Sequence, residues 1–167
     1  MAGFFYTYYL LLLLGTFKTA LMYSILQNIH SYWAYVVLIV LIVGVLTAAV
    51  GYFRDQPFEA KNFRFALFGL IVSHIQLLIG LLLYAISSRM GLWSELGMGG
   101  VMKDAISRLY LVEHPFVNIL ALTVITIAYS KHKKKRLSKS KFAVITLGYG
   151  LGLILLLSRI PWDMWLS

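Results

Sequence analysis

Four long apolar runs alternate with short polar stretches along this chain. They occupy residues 33–53, 65–86, 112–130 and 142–158. An α-helix rises about 1.5 Å per residue, so crossing roughly 30 Å of hydrocarbon takes about 20 residues. Each run is of that order. A segment in lipid has no water to bond its backbone N–H and C=O groups, so each run must be a helix that satisfies them internally. The pattern predicts an all-α fold: an integral membrane helical bundle of four transmembrane helices within residues 22–167, with no room for a separate soluble domain.

The first 21 residues, "MAGFFYTYYLLLLLGTFKTAL", are apolar as well. They lack the basic leader and small-residue cleavage site of a secretory signal. Thr16 and Lys18 weaken this segment as a complete span, so residues 1–21 form either a fifth, N-terminal membrane helix or an upstream extension. Small residues mark packing faces. Gly148, Gly150 and Gly152 form one ridge and Gly44 with Ala48 another, of the kind that lets membrane helices approach closely.

Composition supports the membrane reading, since 60% of residues are hydrophobic against about half in a soluble domain. The chain has no cysteine, which excludes disulfides, thiolate zinc sites, iron–sulfur clusters and covalent c-type haem. The net charge of +9 changes the picture only through its distribution. Seven of the fifteen Lys and Arg residues lie in "KHKKKRLSKSK", residues 131–141, between the third and fourth runs. Positive loops stay on the cytoplasmic side, so loop 131–141 is expected there and loop 87–111 on the opposite face. Lys131, Lys133, Lys134, Lys135 and Arg136 suit anionic lipid headgroups or a partner subunit, and nucleic acid is not expected. His132, within this loop, is expected to be solvated. In the opposite loop "LGMGG" predicts flexibility, and "VMKDAISRLYLV" a short amphipathic helix at the interface. Trp162 and Trp165 in the closing "RIPWDMWLS" are expected as interfacial anchors.

The other three histidines carry the candidate chemistry. His74 lies about ten residues from either end of its run, roughly 15 Å deep, where an ionisable group is costly and usually functional. Gly69, Ser73, Gln76 and Gly80 share one face of that helix. His30 precedes the first run and His114 the third, at about the same depth. Neutral imidazoles on different helices, level with one another, are what two axial ligands of a haem require. His114 and Asn118 fall on one helical face, and Pro115 suits the first turn of a helix. Glu113 is placed to orient His114, because ligating imidazoles commonly give their second nitrogen to an acceptor. The bland alternative is a helix cap and polar contacts between helices. Three histidines and Glu113 could also form a zinc or iron site, although no H-x-x-x-H spacing is present. Nucleotide-binding loops and the G-x-S-x-G elbow are absent. All six carboxylates lie in loops or at span ends, which disfavours a carboxylate proton relay.

The segments "MYSILQNIHSYW", "SHIQLLIGLLLY", "EHPFVNILALTVITIAYSKHKKKR" and "RIPW", in this order over residues 22–162, resemble a family of small four-helix membrane proteins of Bacteroidetes described as cytochrome b-like. The resemblance implies haem b held by histidines drawn from His30, His74 and His114, and electron transfer in a bacterial inner (cytoplasmic) membrane, with loop 87–111 periplasmic. By level, His30 and His114 are the simpler axial pair, leaving His74 as alternate ligand or quinone contact. The competing expectation is a non-catalytic accessory subunit of a larger inner-membrane complex, without cofactor. Either way, membrane lipids and other membrane subunits are the expected partners.

Overall fold

The computed structural model describes the backbone of residues 2–165 and the side chains of residues 15, 17–163 (residue 16 excepted) and 165, residue 164 being described by backbone alone. Met1 of the N-terminal segment and residues 166 and 167 of the closing one lie outside the described residues. In chain order the elements are α1 (Ala2–Phe53), α2 (Ala60–Ile86), a 3-10 turn (Ser88–Gly91), α3 (Leu92–Lys103), α4 (Ala105–Arg108), a π-turn (Leu109–Glu113), α5 (His114–Lys133), α6 (Ser138–Ser158) and α7 (Trp162–Trp165). The described residues contain no strand. Among the described residues four stretches are long and apolar enough to cross a membrane: Phe17–Phe53, Ala60–Ile86, Ala105–Lys133 and Ser138–Ser158. The protein is a multi-pass, all-α membrane bundle.

α1 runs without a break for 52 residues, roughly 78 Å at the α-helical rise. The described part of segment 1–21 therefore prolongs the first span. Its partner α2 has 27 residues, so α1 continues well past it. α1 packs on α2 and α6, and α5 packs on the same two helices. Consecutive spans are thus neighbours around a closed ring, as their short connections at one end require.

That end is tighter than the sequence suggests. α5 carries on to Lys133 and α6 starts at Ser138, leaving only residues 134–137 as loop. Lys131, His132 and Lys133 occupy the last turn of α5, where the negative pole of the helix favours cations. The end is tied down by the Lys139–Asp55 ion pair at 2.8 Å, and by the Phe58 N–H donating to Ser138 Oγ at 3.0 Å.

The opposite end also departs from expectation. The amphipathic helix predicted over residues 101–112 is divided at Asp104, which leaves the helical conformation and accepts from the Ser107 N–H at 2.7 Å. This is an N-cap, and the third span begins there. α3, before it, is kinked at Gly97, whose φ of +63° suits glycine alone. "EHP" consequently lies inside a span that is already helical. Pro115 has no N–H, and its ring crowds the carbonyl four residues back, so the helix opens into the π-turn, with the His114 N–H reaching the Leu109 carbonyl. The Leu111 carbonyl, deprived of its usual donor, accepts from the Tyr84 hydroxyl of α2 at 3.1 Å.

Lipid tails are as apolar as leucine, so close packing and polar contacts hold such bundles together. A Cβ on Gly152 would stand 2.5 Å from Ile125 Cγ1, which shows how closely α6 approaches α5. Gly148 meets Ala128 on the same face, whereas Gly150 looks towards Val45 of α1. The predicted glycine ridge therefore serves two neighbours. Buried Tyr149 donates to the Ala66 carbonyl at 2.7 Å, and the Trp33 indole to the Val72 carbonyl at 3.0 Å.

Candidate functional site

A cavity of about 230 Å³ opens between α1, α2, α5 and the end of α6, away from the 131–141 end. Apolar side chains such as Val37, Leu77, Leu122 and Leu156 form much of its wall, and His30, Gln76, His114 and Asn118 enter it. A concave apolar space with a few convergent polar groups is the usual form of a ligand site. The His30 and His114 ring centres stand 6.3 Å apart, with planes at 72°.

His114 is held in one tautomer. Its Nδ1 lies 2.7 Å from the Arg159 carbonyl, which can only accept, so Nδ1 carries a proton, and in the neutral imidazole Nε2 keeps its lone pair. That is how a metal-ligating imidazole is usually prepared. Glu113, expected to do this orienting, acts one step further out. Its carboxylate takes Arg108 Nε at 2.9 Å and Arg159 Nε at 3.3 Å, and so anchors the residue whose carbonyl receives the His114 proton. Arg108 also donates to the Met102 carbonyl at 2.7 Å. Asn118 Nδ2 donates to the His114 carbonyl at 2.6 Å.

His30 rests on α2. A Cβ on Gly80 would come within 3.0 Å of its Cε1, so glycine gives the imidazole its place. Gln76 Nε2 donates to the His30 carbonyl at 2.9 Å and lies 3.4 Å from His30 Nε2. His30 Nδ1 and Gln76 Oε1 are buried without a partner. Such an atom costs about 1–3 kcal/mol, and both residues line the cavity, where a ligand could satisfy them.

The other two histidines sit elsewhere. His74 lies half-buried in the middle of α2, gives its Nδ1 proton to the Leu70 carbonyl of its own helix at 2.8 Å, and is outside the cavity lining. The face holding Ser73, Gln76 and Gly80 looks into the cavity, and each helical residue turns about 100° from the last, which carries His74 off that face. His132 is not solvated. It is 1% exposed, because α5 continues past residue 130 and turns it inward among Phe58, Phe63 and Tyr129.

Among the described residues no three His, Asp or Glu side chains cluster as a metal-holding group. The structure brings His30 and His114 together as a pair and keeps His74 and Glu113 out of it. Sequence reasoning placed Gln76 and Gly80 on a shared face without assigning them to His30. It missed Arg159, which acts through a backbone carbonyl that no side-chain pattern reveals, and Tyr84, whose partner is the carbonyl freed by Pro115. No family model matches this chain, and neither a curated protein nor a solved structure matches it. The class that fold and site define is a multi-pass helical membrane protein with two histidines from different spans facing across one cavity.

Proposed function

We propose that this protein is a b-type cytochrome-like electron-transfer subunit whose haem b is held by His30 and His114. The observation that supports this best is their separation of 6.3 Å. A separation of that order would let one nitrogen of each imidazole reach a shared metal ion at about 2 Å. The donor set also fits, with two neutral imidazoles from separate spans and His114 Nε2 left free by its bond to Arg159. Bound haem supplies one-electron redox chemistry. The chain's own residues fix the His114 tautomer, seat His30 on Gly80 and surround the site with apolar side chains that exclude water.

The similarity of "LQNIHSYW" and "EHPFVN" to the Bacteroidetes cytochrome b-like family favours the same reading. On the positive-inside rule the 131–141 end faces the cytoplasm of a bacterial inner membrane, which puts the cavity towards the periplasmic side. A membrane quinol is then a suitable donor, and another membrane subunit a suitable acceptor. Lys131, Lys133, Lys134, Lys135 and Arg136 would meet anionic lipid at the inner face. The test is a reduced-minus-oxidised optical spectrum of the detergent-purified protein, with a pyridine haemochrome assay on the same sample. Soret and α bands of b-type haem are expected. A colourless protein expressed with ample haem would overturn the proposal in favour of an accessory subunit without cofactor.

A further inference from the structure

Apolar residues such as Val37 and Leu122 form much of the cavity wall, while among the described residues Arg89 is the one lining side chain with a full charge, the lining containing no described Asp, Glu or Lys. The Arg89 guanidinium lies over the Tyr110 ring, 4.5 Å from its centre. Among the described residues it makes no ion pair. Asp104, the acid that feels its charge, has its carboxylate committed to the Ser107 N–H at 2.7 Å. A planar guanidinium matches a carboxylate in shape and can donate two parallel hydrogen bonds to it. A neutral ligand would leave that capacity unused.

We propose that the ligand of this cavity is an acid, an amphiphile with a flat apolar body and a carboxylate edge, and that Arg89 holds the carboxylate. This rests on the haem reading and deepens it, because the two propionates of haem b supply such an edge and a neutral quinone has none. Arg89 then determines specificity, and the histidines supply ligation.

The experiment uses the full-length protein, freed of haem in detergent. It is titrated with haem and with haem dimethyl ester, followed in the Soret band. Metal-free protoporphyrin and its dimethyl ester are titrated in parallel by fluorescence. The free acid is expected to bind about tenfold more tightly in each pair, the scale of a hydrogen bond to a charged group. Arg89→Gln should bring acid and ester to within about twofold while leaving ester affinity unchanged, which also reports that the variant is folded. Arg89→Lys should retain part of the preference. Equal binding of acid and ester by the unaltered protein, or an undiminished preference in Arg89→Gln, would overturn the proposal while leaving histidine ligation standing. A preference for the metal-free acid without ligation of the iron porphyrins would sink the haem reading and leave the acid site in place. Failure of every porphyrin to bind would remove both.

Discussion

At the 131–141 end of the bundle, His132 is enclosed by Phe58, Phe63 and Tyr129, whose ring centres lie 5.7, 5.6 and 5.0 Å from its own. At the other end, His30 and His114 stand 6.3 Å apart beside a cavity of about 230 Å³. Both ends bury imidazole nitrogens without hydrogen-bond partners, the two of His132 and Nδ1 of His30. An orphaned nitrogen is therefore not enough to mark a ligand. What distinguishes the cavity end is space, a second imidazole from another helix, and an acceptor that fixes one tautomer. The closed end has aromatic faces there instead, with Lys133 over Tyr129 and Lys141 over Phe58 sealing it from outside.

Substituting the histidines one at a time should break this comparison most sharply. His30→Ala or His114→Ala should reduce haem per protein to about a tenth or less, whereas His132→Ala and His74→Ala should leave it near the original value, measured as pyridine haemochrome. On the scale of a buried-ligand loss this is the largest effect expected. The packing contrast comes next. Gly152→Leu forces a side chain into Ile125 and should destabilise the fold by about 3 kcal/mol, read from unfolding in mixed detergent. At the open end Gly80→Ala should cost less and show itself chiefly as a change in the haem spectrum, because its nearest neighbour is the His30 ring.

A smaller effect is expected from Tyr149→Phe. It removes the hydroxyl that reaches the Ala66 carbonyl and should cost about 1 kcal/mol, with the spectrum unchanged. The smallest is at Asp104. Bonds from Ser107, side chain first and then backbone N–H, with the charges of Arg108 and Arg89, hold its carboxyl below the usual value. A group whose pKa is depressed by folding stabilises above its unfolded value, roughly pH 4, and loses that contribution as pH falls through the folded value. Thermal unfolding of Asp104→Asn should lack this acid-side component, and the two proteins should converge at low pH.

The spans were legible because lipid demands one property, sustained apolarity, that can be read in one dimension. Their ends were not. Lys131 and Lys133 suggested that helix gives way to loop at residue 131, yet Ile125, Ala128, Tyr129 and His132 follow the three- and four-residue spacing of a buried face. That periodicity was present in the sequence, and the density of charge obscured it. Asp104 likewise starts the third span two turns before the apolar run, because a cap is set by φ and ψ rather than by hydropathy. The level pairing of His30 with His114 was readable by counting residues along the first and third spans, which run in the same direction. The route from Glu113 through Arg159 to His114 was not, since it depends on where α6 ends in space.

The central claim is that His30 and His114 together ligate one haem, and electron paramagnetic resonance of the oxidised protein tests it most directly. Two imidazole ligands give low-spin ferric haem, so the unaltered protein should show a low-spin signal, and any haem retained by His30→Ala or His114→Ala should become high-spin. A high-spin signal from the unaltered protein, or a low-spin signal that survives both substitutions, would contradict the account.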